Sequence, residues 1–131
     1  MMNNPQMNDS NVNLRGVQVL VVEDEAILSM ILQDFLEDLG CVIVGPAHAL
    51  PEALSLAEDA AIDIALIDVN LQRVEAFPVG DVLVQRGIPF IFMSGDDDLQ
   101  RNDTFGQRPV LRKPFAMREV PVIIQSVLGI A

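Results

Sequence analysis

The stretch VQVLVVEDE, residues 17–25, decides the fold class. Residues 17–22 are β-branched or aliphatic apart from Gln18, and the run stops abruptly at Glu23, Asp24 and Glu25. A short apolar run of this kind suits a strand buried on both faces, as in a parallel sheet. Downstream, residues 26–39 carry Leu28, Ile31, Leu32, Phe35, Leu36 and Leu39 at helical spacing, and Gly40 supplies the stop. The alternation then repeats. Residues 41–44 predict a second strand closed by Gly45-Pro46. Pro51 fits the first turn of a second helix with Ala53, Leu54, Ala57 and Ala60 on its apolar side. Residues 64–67 predict a third strand ending at Asp68, then a loop to Glu75 and a short helix from Phe77 to Arg86-Gly87. Residues 89–93 predict a fourth strand and residues 110–112 a fifth, separated by a polar stretch. A last helix over residues 117–128 offers Val122, Ile123, Val127 and Leu128 to the core, with Pro121 in its first turn.

Strands alternating with helices imply right-handed crossovers and a doubly wound α/β fold, a five-stranded parallel sheet covered on both faces. Ligands of such sheets bind at the carboxyl ends of the strands. Those ends carry Glu23 and Asp24, Asp68, Ser94 and Lys113, while the second strand contributes nothing. Three carboxylates in one crevice repel one another unless a cation neutralises them. A hard divalent ion such as Mg²⁺, which takes few carboxylates plus waters and phosphate oxygens, is the natural solution. Lys113 is the only lysine among eight basic residues; its ammonium and the Ser94 hydroxyl suit the oxygens of a phosphoryl group.

Composition narrows the classes. A chain of 131 residues, half of them apolar, fits one globular domain. Residues 1–16 are polar and Asn-rich and read as a disordered tail ahead of a domain over residues 17–131. They do not have the basic-then-apolar layout of a signal peptide. No apolar run approaches the roughly 20 residues of a membrane span, so the expectation is a soluble, cytoplasmic protein with no membrane partner. A net charge of −11 argues against nucleic-acid binding, which needs clustered Lys and Arg. No Gly-rich fingerprint follows the first strand, against a dinucleotide enzyme. Cys41 reads as a small buried hydrophobe. Glu25 reads as a helix N-terminal acid, His48 as a surface loop residue, and residues 96–98, three aspartates, as a solvated loop.

With these positions in hand, the chain resembles a bacterial response-regulator receiver domain. The resemblance rests on VLVVEDE (19–25), ALIDVNL (65–71), FMSG (92–95) and RKPF (112–115), four short motifs in order, each at a strand end. It implies a CheY-like, flavodoxin-like sheet of order 2-1-3-4-5. It also implies that Asp68 accepts a phosphoryl group from a histidine kinase or phosphotransfer protein. By the same resemblance Glu23, Asp24, Asp68 and the backbone carbonyl of Asn70 hold Mg²⁺, Lys113 and Ser94 contact the phosphoryl group, and the Lys113-Pro114 bond is cis. Such a chain is a signalling domain that catalyses its own phosphotransfer and dephosphorylation, not a turnover enzyme.

Two departures stand out. Val110 occupies the place of the aromatic residue that many receivers carry three positions before the lysine, which excludes an aromatic rotamer switch. The interval between Ser94 and Lys113 is short, so the fourth helix is expected to be shortened or irregular. With GIPFIFMSG (87–95) and RPVLRKPF (108–115), these features are similar to the alphaproteobacterial FAT GUY subgroup, although Asp96 stands where that subgroup has Tyr. The chain ends three residues after Leu128, so the expected output is a change in protein–protein contacts, with residues 94–107, the fifth strand and the last helix as the signalling surface. Rival readings are a phosphate sink or relay intermediate and a phosphate-independent binding module. A haloacid-dehalogenase-type phosphatase is disfavoured, because Asn70 stands where its general acid would be.

Overall fold

Alternating side chains along the central strands feed two apolar layers, and those layers fix where the helices go. The computed structural model describes residues 14–95 and 108–130. In chain order the described elements are β1 (Gln18–Val22), α1 (Ala26–Asp38), β2 (Val42–Ala47), α2 (Leu50–Asp59), β3 (Ile64–Asp68), β4 (Asn70–Leu71), β5 (Val74–Glu75), α3 (Phe77–Arg86), β6 (Phe90–Ser94), β7 (Val110–Arg112) and α4 (Glu119–Leu128). Five strands form a parallel sheet of order β2-β1-β3-β6-β7, which is the expected 2-1-3-4-5 order once the small β4–β5 hairpin is set aside.

On one face Leu20, Val22, Ala65, Ile67, Phe90 and Phe92 pack with Ala53 and Ala57 of α2 and Val79 and Leu83 of α3. On the other, Val19, Val21, Ile64, Leu66, Ile91 and Met93 pack with Leu32 and Leu36 of α1 and Val120 and Ile124 of α4. Two faces, two helices on each among the described residues: the sheet is doubly wound. Cys41 is buried in the second layer, and burial pushes its thiol up to about 11. The expectation of a shortened fourth helix, like those for residues 96–98, falls within residues 96–107 and lies outside the described residues.

Several local expectations are corrected. Leu14, assigned to the tail, is fully buried, and the Gly16 N–H donates to the Gly40 carbonyl (2.8 Å), so packing begins ahead of residue 17. The second strand does not end at Gly45-Pro46. Leu20 faces Val44 but Val22 faces Ala47, so β2 carries one extra residue, a bulge built on Gly45 and Pro46, and resumes beyond it. Gly45 sits at φ +92°, where a Cβ would lie 2.9 Å from the Ala47 nitrogen, so only glycine fits. The loop to Glu75 contains the antiparallel β4–β5 pair. In α4, Val122 is exposed, and Val120, Pro121 and Ile124 are buried in its place. Val120 and Ile124 are one helical turn apart, whereas Val122 lies on the opposite side. Ile31 is likewise half-exposed and, with Ile27 and Met30, forms an apolar stripe on the outer side of α1.

Candidate functional site

The carboxyl ends of β1, β3, β6 and β7 converge, as a parallel sheet requires of its strand-ending residues. Glu23 follows β1, and its N–H donates to the Ala47 carbonyl (3.0 Å), so the β2 bulge anchors it. Asp68 closes β3, Ser94 closes β6, and the Lys113 N–H donates to the Ser94 carbonyl (2.8 Å), which fixes where the lysine departs. Glu23 is fully buried, and Asp68 and Ser94 are buried as well. The Lys113-Pro114 peptide bond is cis, as is Gly45-Pro46.

Carboxylate oxygens of Glu23, Asp24 and Asp68 lie within 4.8 Å of one another. The Lys113 ammonium stands 3.0 Å from Glu23 Oε1, 3.1 Å from Asp68 Oδ2 and 3.5 Å from Glu25 Oε1. The Asn70 N–H donates to Asp68 Oδ1 (3.1 Å), and the Gln72 N–H donates to Asp24 Oδ2 (2.9 Å). Asp24, Glu25, Asp68, Asn70, Gln72 and Lys113 border a cleft of about 370 Å³ that opens to solvent between β1, β3 and β7.

One ammonium does not balance this many carboxylates. Burial, reinforced by the Asp68 carboxylate, pushes Glu23 from its ordinary 4.5 up to about 8. Burial also raises Asp68, against the opposing pull of its hydrogen bonds and of Lys113. Burial alone would lower Lys113, but Glu23 and Asp68 outweigh it and hold the ammonium charged. Glu23 Oε1 is 3.0 Å from that ammonium yet lacks the alignment of a hydrogen bond, leaving a buried oxygen incompletely satisfied. An oxygen-rich, anionic pocket with such an atom fits a hard divalent cation.

All the strand-end residues singled out in the sequence are therefore neighbours. Four further residues join them. Glu25 sits at the N-cap of α1 but makes no side-chain cap bond; its carboxylate turns toward Lys113 instead. His48 is exposed, as a loop residue should be, yet its Nδ1 lies 2.9 Å from the Glu23 carbonyl and, since a carbonyl only accepts, carries the proton there. The β4–β5 hairpin brings Gln72 and Arg73 to the cleft. No sequence signal marks the last two cases, because His48 arrives through the β2 bulge and Gln-Arg is not a recognisable hairpin turn.

Comparison with known proteins agrees with this architecture. The response regulator receiver domain matches residues 19–125. SdrG from Sphingomonas melonis Fr1 superposes with a TM-score of 0.75 at 41% identity, covering 86% of this chain and 97% of SdrG. The BeF3-activated conformation of SdrG from Pseudomonas melonis Fr1 gives 0.71 at 43% identity, covering 85% and 95%. The transcriptional regulatory protein PdtaR of Mycobacterium tuberculosis is 32% identical over 111 residues, 81% of this chain and 54% of PdtaR. The chain spans about a third to about a half of the length of the first curated relatives it matches. No helix among the described residues is long and apolar enough to cross a membrane. With the family's domain matched over residues 19–125 and its sheet order reproduced, the chain belongs to the response regulator receiver domain family.

Proposed function

We propose that the protein is a phosphoacceptor of a two-component relay, taking a phosphoryl group on Asp68 and passing the signal on through altered protein–protein contacts. The observation that carries this reading is the Lys113 ammonium held 3.1 Å from Asp68 Oδ2 inside a cluster of carboxylates at the strand ends. Phosphoryl transfer demands in-line positioning and neutralisation of spreading charge more than acid–base chemistry. An Asp68 oxygen forms the new O–P bond while the P–N bond of a phosphohistidine donor breaks, the electron pair leaving with the imidazole. Lys113 then exchanges a carboxylate partner for a phosphoryl oxygen, and the Ser94 hydroxyl donates to another. Glu23, Asp24, Asp68 and the Asn70 carbonyl are the residues that would hold Mg²⁺. The ion supplies the positive charge that lets an anionic donor enter an anionic cleft.

Near-complete coverage of SdrG supports a regulator in which the receiver itself carries the signal, working in the cytoplasm. The α1 stripe of Ile27, Met30 and Ile31, beginning two residues after Glu25, offers apolar surface beside the cleft for a docking kinase or phosphotransfer protein. The decisive experiment is intact mass after incubation with acetyl phosphate, with and without Mg²⁺, for the native chain and Asp68→Asn. One Mg²⁺-dependent phosphoryl adduct, absent from Asp68→Asn, is the expected result. An adduct that survives in Asp68→Asn, or none in the native chain, would overturn the reading.

A further inference from the structure

The β4–β5 hairpin is closed by Gln72 and Arg73, with Leu71 paired to Val74 across the turn. Both turn residues adopt left-handed backbone, φ 52° and 72°. Two consecutive left-handed residues make the two-residue hairpin turn that favours Asn-Gly, and side chains with a Cβ are strained there. The strained turn is tied down at both residues. The Gln72 N–H donates to Asp24 Oδ2 (2.9 Å), and the Arg73 N–H donates to Asn70 Oδ1 (2.7 Å). The turn thus sets Arg73 on the wall of the cleft that also contains Asp68.

Charge gives this placement a use. Among the described residues, two basic residues border the cleft, Lys113 and Arg73. Lys113 is already engaged by three carboxylates. Arg73 makes no ion pair among the described residues. A phosphoryl donor approaching Asp68 must pass the field of Glu23, Asp24, Glu25 and Asp68 on a chain of net charge −11, and a guanidinium at the rim opposes that repulsion.

We propose that Arg73 receives the anionic oxygens of the incoming phosphodonor at the mouth of the cleft, an inference that rests on the phosphoacceptor reading of Asp68. With acetyl phosphate, an Asp68 oxygen bonds to phosphorus as the P–O bond to the acetyl group breaks and acetate leaves with the electron pair. Arg73 takes no part in bond making; it holds the group that is transferred.

The test compares the native chain with Arg73→Gln and Arg73→Lys, all three keeping a Cβ at the strained position, so that turn strain is constant. The adduct rate with acetyl phosphate is followed by mass, and Mg²⁺ affinity by calorimetry. Arg73→Gln is expected to slow phosphorylation by roughly two- to tenfold, with the difference narrowing at roughly 1 M salt, while Mg²⁺ binds as tightly as before or more tightly. Arg73→Lys is expected to recover most of the rate. Slower phosphorylation with no loss of Mg²⁺ affinity is what loss of a rim charge produces and what a damaged hairpin does not. An unchanged rate in Arg73→Gln, a parallel loss of rate and Mg²⁺ affinity, or no recovery with Lys would each overturn the inference. Failure of the native chain to form the adduct would instead overturn the reading of Asp68, and this inference with it.

Discussion

The two ends of the same sheet are built on opposite terms. At the amino end, where β1 and β3 begin, polar groups answer one another: the Gln18 N–H donates to Asp63 Oδ2 (2.8 Å) and the Asp63 N–H to the Gln18 carbonyl (2.8 Å). The Val42 N–H donates to the Val17 carbonyl (2.8 Å) nearby. At the carboxyl end, three carboxylates crowd within 4.8 Å, and a fully buried Glu23 oxygen lacks a well-aligned partner. The first end is satisfied by the chain itself. The second is satisfied only in company, and that deficit is what supports placing the proposed phosphoacceptor site there, since buried charge without full pairing is costly.

Glu23→Gln breaks the contrast most strongly. Above about pH 8, where Glu23 is ionised, the neutral isostere removes a buried charge, so the metal-free protein should gain roughly 1–3 kcal/mol in denaturant unfolding. Mg²⁺ affinity should fall at least about tenfold by calorimetry, because the ion loses a charged oxygen. A variant both less stable and equally able to bind Mg²⁺ would show that Glu23 belongs with the satisfied end after all.

Proton linkage sharpens the same contrast without mutation. Glu23 in the folded chain titrates near 8 rather than its ordinary 4.5, so between these values unfolding releases a proton. The Glu23 contribution to stability is therefore fully present below about pH 4.5 and is lost as pH rises through about 8, and the raised Asp68 adds in the same direction. Thermal unfolding of the metal-free protein should show a midpoint that falls across this window. Saturating Mg²⁺ should flatten the slope, since the ion replaces the proton. A metal-free midpoint that rises with pH through the window would contradict the frustrated cleft.

How much of this was legible beforehand follows from which signals are local. The apolar runs that end at Asp68 and Ser94 declare their strands, because strands buried on both faces must be continuously apolar, and the sheet order came with the receiver resemblance. Their convergence with Glu23, Asp24 and Lys113 needs only the rule that parallel strands end together. What stayed hidden depends on departures from regular geometry. Gly45-Pro46 looks like a terminator but makes a bulge, and the bulge delivers Ala47 to Glu23 and His48 to its carbonyl. Gln72-Arg73 turns left-handed against its own preference, so composition could not reveal the hairpin. Leu14 sits in a polar segment and is buried by tertiary packing alone.

The smallest expected effect lies at the satisfied end. Asp63→Ala removes the acceptor of the Gln18 N–H but leaves the reciprocal Asp63 N–H bond to the Gln18 carbonyl in place. Water can reach the freed donor at this exposed position, so no buried group is stranded and the loss should be about 0.5–1 kcal/mol in denaturant unfolding. Asp63→Asn keeps an acceptor oxygen and should recover most of it. Neither change should alter Mg²⁺ affinity or the rate of adduct formation, because the sheet separates Asp63 from the cleft by the full length of β3. On the proposed function, a carboxylate lost from one end should lower stability and spare the site, and one lost from the other should raise stability and disable it. That opposition of sign, more than either magnitude, is the property that distinguishes a structural acid from a working one in this fold.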